Sequence, residues 1–156
     1  MAFEVRRARQ EDAEAILEIT RDAFTNYCKM VGIDDIEALH ENVEDVRRDI
    51  LNKTVLVAYI DGSVVGSLRL SFDDETKAAY LSRFGVRREY RNNGIGKSLV
   101  NMADIFAIRR GMKHMRLHTA SKLTDIVRFY YSRGFYVETA SNTGEYIRLC
   151  FRKDYE

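Results

Sequence analysis

The stretch Val86-Arg87-Arg88-Glu89-Tyr90-Arg91-Asn92-Asn93-Gly94-Ile95-Gly96-Lys97-Ser98 decides how this chain folds, because it joins two different periodicities. Before it, Ala78 to Val86 reads as an extended strand. After it, Ile95, Leu99, Met102, Ala103 and Phe106 recur at three- and four-residue steps, the buried stripe of a helix that Gly111 ends. A glycine-bearing passage from strand to helix is suited to an anion. First-turn N–H groups have no intrahelical partner, the helix dipole is positive there, and glycine lets an oxygen approach the backbone. Arg91 and Lys97 add formal charge at the same mouth.

Two familiar phosphate loops can be tested on these residues. Gly96-Lys97-Ser98 resembles the end of a Walker A loop, but that pattern requires glycine five residues before Gly96, where Arg91 stands. A dinucleotide fingerprint requires Gly or Ala three residues after Gly96, where Leu99 stands, and the chain does not open on alternating βαβ units. What remains is Arg-x-x-Gly-x-Gly.

Working outward toward the N-terminus, Thr54 to Ile60 and Val64 to Phe72 are β-branched and aromatic runs separated by Asp61-Gly62, a hairpin signal. With Ala78 to Val86 they predict three consecutive antiparallel strands. Ahead of them, Ala13, Ile16, Leu17, Phe24, Tyr27, Cys28 and Val31 predict a long amphipathic helix closing near Gly32. A second helix is expected from a cap at Asp34 or Asp35, with Ile36, Leu39, Val43, Val46 and Ile50 as its buried stripe. Phe3 to Arg7 is read as a short first strand.

Toward the C-terminus, His114 to Thr119 alternates like a strand and Ser121 is placed to cap a helix running to about Arg133 and Gly134. Phe135 to Thr139 and Glu145 to Phe151 read as closing strands joined by a turn at Ala140 to Gly144. The order is β-α-α-β-β-β-α-β-α-β-β. It predicts an α+β fold: a mixed, mostly antiparallel sheet of about seven strands with helices on both faces.

The 156 residues are 46% hydrophobic, enough for the core of one domain, and no apolar run reaches the length of a membrane span. A soluble cytoplasmic protein is expected, without export signal. Cys28 and Cys150 show no metal or disulfide spacing. A formal charge of +1 argues against a dedicated nucleic-acid or membrane-surface binder. The distribution is uneven: residues 11 to 50 carry a net −8, and residues 83 to 97 a net +4. Charged outer faces are ordinary on amphipathic helices, yet the first region would also suit a cation and the second an anion.

Arg91, Gly94 and Gly96 after the apolar Phe84-Gly85-Val86, followed by Phe129-Tyr130-Tyr131-Ser132-Arg133-Gly134-Phe135, resemble the two ordered motifs of the GNAT family of N-acetyltransferases. The element order agrees along essentially the whole chain. The resemblance implies a splay between the fourth and fifth strands, with the pantetheine arm of acetyl-CoA entering it as an added strand. Phe84, Gly85 and Val86 would line that arm, helped by a bulge near Arg83 to Gly85. Arg91, Asn92, Asn93, Gly94, Ile95, Gly96, Lys97 and Ser98 would hold the diphosphate. The N–H of Phe84 would donate to the thioester carbonyl, and Tyr130 would protonate the departing thiolate. No metal is expected, and the partner would be a small-molecule or peptide amine. Homodimers are frequent in that family.

Two departures accompany the match. Tyr80 stands where many relatives have a glutamate base, and Leu123 where they have a cofactor-contacting asparagine that Ser121 or Thr124 would have to replace. Glu75, His40, Glu41 or water are the substitutes for the base. His114 and His118 share a strand face with Arg116 and have no evident third metal ligand. Cys28 lies on an apolar stripe, so direct transfer is preferred over an acyl-cysteine. A catalytically silent acyl-CoA-binding module and a P-loop hydrolase are the alternatives.

Overall fold

Alternation of apolar side chains on both faces makes the central strands the interior of the molecule. The computed structural model describes residues 2–156. Its seven strands are β1 (Glu4–Arg7), β2 (Thr54–Ile60), β3 (Ser63–Asp73), β4 (Ala78–Val86), β5 (His114–Ala120), β6 (Tyr136–Asn142) and β7 (Ile147–Asp154). They form one sheet in the order β1-β2-β3-β4-β5-β7-β6, in which only β4 and β5 run parallel. Four helices cover it: α1 (Ala13–Val31), α2 (Val43–Asn52), α3 (Ile95–Arg109) and α4 (Thr124–Ser132).

Strand β2 shows why three layers result. Val55 and Val57 bury against Ala13, Ile16, Leu17 and Ile19 of α1 and Val46 of α2. Leu56, Ala58 and Ile60 point the other way, into a core shared with Ile95, Leu99, Val100, Ala103 and Ala107 of α3 and Tyr130 of α4. A strand apolar on both faces has to be covered on both. Asp61 (φ 46°) and Gly62 (φ 86°) both adopt the left-handed conformation that a tight hairpin turn requires.

The expected elements are present, with three local corrections. Asp34 and Asp35 do not cap the second helix: Glu37–His40 forms a separate 3-10 turn, and α2 starts after Asn42. Asn42 Oδ1 accepts from the Asp45 N–H at 2.9 Å while Asp45 Oδ2 accepts from the Asn42 N–H at 2.9 Å, a reciprocal cap that defines the start more strongly than the preceding aspartates. Asn42→Ala should destabilise the protein by about 1 kcal/mol, read as a lower denaturation midpoint at unchanged slope.

Ser121 is not the cap of α4; Leu123 occupies that position and makes no side-chain cap. The last hairpin is shifted, so that Ala140 to Asn142 belong to β6 and the turn falls at Thr143 to Tyr146. Residues of β6 are almost all exposed, so its pattern carries no apolar alternation to mark its end.

A buried ionic cluster lies under α1 and α2. Arg69 of β3, 1% exposed, donates to Glu41 Oε1 at 2.6 Å and Oε2 at 2.7 Å, to Asp49 at 2.9 Å and to Thr20 at 3.2 Å. Glu41 also meets Arg83 at 3.4 Å. Arg69 interrupts the apolar run of β3 at a position whose parity turns it inward, which was the available signal for a buried charge.

Candidate active site

Strands β4 and β5 are paired only at Ala78↔His114, Ala79↔Met115 and Tyr80↔Arg116. Both continue beyond Tyr80 and Arg116, β4 to Val86 and β5 to Ala120, without pairing to each other. A fork opens there. Its cause is local to β4: Ser67↔Gly85 and Arg69↔Ser82 on β3 leave one extra residue on β4, a bulge in which Arg83 takes φ 53°. The expected bulge is present, but the left-handed residue is Arg83 rather than Gly85. A Cβ on Gly85 would lie 3.0 Å from Ala23 Cβ and 3.2 Å from Ile19 Cγ2, so this glycine lets α1 rest on the bulge. Glu41 and the ring of Phe24, 5.9 Å from the guanidinium, hold Arg83 in its uncommon conformation.

The loop at the top of the fork runs from Val86 through a 3-10 turn at Arg88–Tyr90 to Gly94, the left-handed N-cap of α3. Ser98 N–H makes the first helical bond, to Gly94 O at 3.0 Å, and no side chain caps the helix. The N–H groups of Ile95, Gly96 and Lys97 therefore point out of the helix end. Arg91 and Lys97 are exposed beside them, and Arg91 Nε donates to Val86 O at 3.3 Å, tying the loop to the last residue of β4. Asn92 (φ 63°) and Gly94 (φ 80°) turn the chain, and Asn93 Nδ2 donates to Arg91 O at 3.2 Å. A Cβ on Gly96 would lie 3.0 Å from Phe84 Cζ, so this glycine also seats the first turn of α3 on the ring of Phe84.

Phe84 stacks on Phe129 of α4 with centroids 5.7 Å apart, and Tyr130 lies among Phe84, Phe129, Phe135 and Phe151. Tyr130 is 4% exposed, and burial, followed by nearby Tyr80, raises its pKa far above that of a free phenol. It is thus a proton donor and not a phenolate at neutral pH. Among the described residues its hydroxyl has no hydrogen-bond partner. Neighbouring Tyr131 is 53% exposed and rests its edge on Phe151.

The expected base candidates fare differently. Glu41 is neither solvated nor available, being locked between Arg69 and Arg83. His40 pairs with Asp35 at 2.5 Å on the exposed 3-10 turn. Glu75 lies in the β3–β4 turn, and β4 alone carries about 20 Å between Ala78 and Phe84. Seven of the twelve acids of residues 11 to 50 pair with an arginine: Glu11 with Arg9, Asp12 with Arg6, Glu18 with Arg87, Glu41 and Asp49 with Arg69, Asp45 with Arg48 and Glu44 with Arg47. Arginines from outside the region, Arg6, Arg9, Arg69, Arg83 and Arg87, thus offset part of its net −8, while Arg47 and Arg48 are already counted in that balance.

Cys28 and Cys150 are buried free thiols whose pKa burial raises, which disfavours a thiolate nucleophile. His114 Nε2 meets Arg116 at 2.8 Å, while His118 Nδ1 meets the Tyr80 hydroxyl at 2.6 Å. Sequence reasoning missed the latter pair. Tyr80 and His118 are 38 residues apart and on different strands, so only the sheet order brings them together.

The result is a forked mixed sheet with a glycine loop entering α3 at its mouth. The model of the Acetyltransferase (GNAT) family matches residues 13–135, and the chain belongs to that family. It is 27% identical over 150 residues to a spermidine N(1)-acetyltransferase of Thermoplasma acidophilum, covering 88% of this chain and 91% of that protein. The fold superposes on the PaiA N-acetyltransferase of Thermoplasma acidophilum in complex with coenzyme A, with a TM-score of 0.84, 24% identity and 99% and 100% of the two chains covered. A putative acetyltransferase of Salmonella typhimurium, yncA, with its cofactor acetyl-CoA gives a TM-score of 0.76 at 22% identity, over 100% of this chain and 95% of that one. The P-loop alternative does not suit this scaffold, since that loop follows a strand of a mainly parallel sheet and five of the six strand pairings here are antiparallel. No helix among the described residues is long and apolar enough to cross a membrane.

Proposed function

We propose that this chain transfers an acetyl group from acetyl-CoA to a primary amine by direct attack within a ternary complex. The observation that carries the reading is the fork: β4 and β5 part after Tyr80 and Arg116, directly below the uncapped first turn of α3. The residues fit the cosubstrate. The cradle at Gly94 and Gly96 has no side chain of its own, three first-turn N–H groups and Arg91 and Lys97 face a diphosphate, and the upper half of β4 is free to pair with an extended pantetheine.

Bound acetyl-CoA supplies the activated thioester; the chain supplies position and protons. Phe84, Gly85 and Val86 line the fork and orient the arm through main-chain groups. The Phe84 N–H, on the bulge, donates to the carbonyl oxygen where negative charge develops. Tyr130, neutral, gives its proton to the sulfur as the C–S bond breaks, then recovers one from the nitrogen that has become an amide. Asn92, Asn93, Ile95 and Ser98 complete the loop that keeps the diphosphate end fixed.

The test is an acceptor screen followed by release of free thiol, with spermidine, small alkylamines and peptide lysines as candidates. Spermidine is included because a relative is named for it. Acetyl-CoA uptake without thiol release from any amine would favour the silent binding module. Tyr130→Phe should lower kcat by about a hundredfold while leaving acetyl-CoA affinity within about twofold. Unchanged kcat would remove Tyr130 from the acid role.

A further inference from the structure

An alkylammonium with a pKa near about 10 has to lose a proton before it attacks, and the scheme above names no acceptor for it. The carboxylates around the fork are committed. Glu41 is held between Arg69 and Arg83, and Glu138 between Arg116 and Arg152, whose hydrogen bonds lower its pKa to about 2. His40 and His114 are engaged with Asp35 and Arg116 away from the parted strands.

One pair remains, and it straddles the point where the strands separate. The Tyr80 hydroxyl lies 2.6 Å from His118 Nδ1, with ring centroids 5.6 Å apart. Tyr80 belongs to the last bonded pair of β4 and β5, and His118 is two residues further along β5. Leu81 and Leu117 bury on the α3 and α4 side, so by alternation Tyr80 and His118 emerge on the opposite face. That face is opposite the one on which the Tyr130 ring is buried, although the two phenols are close enough to act on each other, so the proton acceptor and the proton donor flank the fork from its two faces.

We infer that Tyr80 and His118 form the proton-accepting relay of the transfer reaction. The inference rests on the acyl-transfer reading and supplies the base it lacks. Tyr80 Oη takes one proton from the acceptor ammonium while passing its own to His118 Nδ1. The amine becomes neutral, the tyrosine is unchanged and the imidazole becomes imidazolium. His118 is exposed, so its proton then leaves to water. The accepting group is thereby built from a residue of β4 acting with a partner on β5.

The surroundings keep the pair in its accepting form. Burial, then Arg148, lowers the pKa of His118 below its ordinary value, so the imidazole is neutral at neutral pH. Burial raises that of Tyr80 against the opposing pull of Arg148 and Arg83, so the phenol holds its proton until the relay moves. The charged and titratable groups that act on the pair are Arg83 on β4, Arg148 and Cys150 on β7 and Tyr130 on α4; Arg116 on β5 and Glu138 on β6 lie beside Cys150, and Tyr27 on α1 beside Arg148. Among the described residues Arg148 forms no ion pair, so its charge acts on the imidazole uncompensated.

The test uses the full chain, acetyl-CoA and the amine that gives thiol release in the screen, spermidine first. His118→Gln should lower kcat about a hundredfold at pH 7, and Tyr80→Phe comparably, with acetyl-CoA affinity unchanged by calorimetry. Both losses should shrink toward pH 10, where the amine deprotonates unaided. Arg148→Gln should move the acidic limb of the unaltered protein's profile to higher pH, because removing a cation raises the imidazole pKa. With three histidines in the chain, proton NMR can follow the His118 titration directly, and Tyr80→Phe should raise its midpoint. A His118→Gln variant with the unaltered kcat and acidic limb, or with one constant loss at every pH, overturns the relay while leaving the transferase reading intact. No thiol release by the unaltered protein with any amine overturns both.

Discussion

Gly94→Asp is expected to weaken acetyl-CoA binding by at least about a hundredfold, because it sets a carboxylate at the mouth built for a diphosphate. Two unit charges about 4 Å apart repel by about 4 kcal/mol at an effective dielectric near 20, equivalent to about a thousandfold, and solvent screening removes part of it. The fold should persist. No atom lies within 4 Å of a Cβ built on Gly94, so the penalty is the left-handed backbone at φ 80°, about 1 kcal/mol, partly offset by an acid at a helix N-terminus. Gly96→Asp should lose binding too, with an added steric term, since Phe84 Cζ would lie 3.0 Å from the new Cβ. Calorimetry at matched thermal stability is the measurement. A folded Gly94→Asp protein with unaltered affinity would remove the loop from the diphosphate site.

Glu41→Ala should destabilise the protein by about 3 kcal/mol, because it strips a guanidinium that is 1% exposed of its two-pronged partner. Asp49 at 2.9 Å and Thr20 at 3.2 Å remain, which keeps the loss toward the lower end of the range for broken buried pairs. Arg69 Nε already lacks an acceptor among the described residues, so the cluster has no spare acceptor to reorganise toward. The same substitution frees Arg83 from its tether on the bulge, so acetyl-CoA affinity should fall along with stability. Arg69→Met combined with Glu41→Gln removes the two most deeply buried charges, leaving Asp49 with Lys53, and should recover part of the stability, a non-additive outcome that a double-mutant cycle measures. Equal losses in the single and double variants would show that the cluster contributes packing and not charge.

These two changes differ in how far the primary structure discloses them. Gly94 and Gly96 announce themselves through a local break from strand period to helix period, with arginine and lysine alongside. Every ingredient of that anion-accepting turn lies within a dozen consecutive residues, so neighbouring chemistry suffices to read it. The hairpin at Asp61-Gly62 and the aromatic end of α4 are legible for the same reason. Glu41 is the opposite case. Taken by position it is one acid among many on a polar segment, and only the packing of β3 beneath α1 and α2 reveals that it neutralises Arg69.

Local order thus determined the elements, the turn that suits a diphosphate, the family and the position of Tyr130, since each depends on residues a few places apart in the chain. The tertiary structure alone decided where β4 and β5 part, which acids are spent in ion pairs and that Tyr80 meets His118. Those outcomes depend on strand order and on a one-residue bulge, and contacts between residues tens of positions apart leave no periodic trace along the chain.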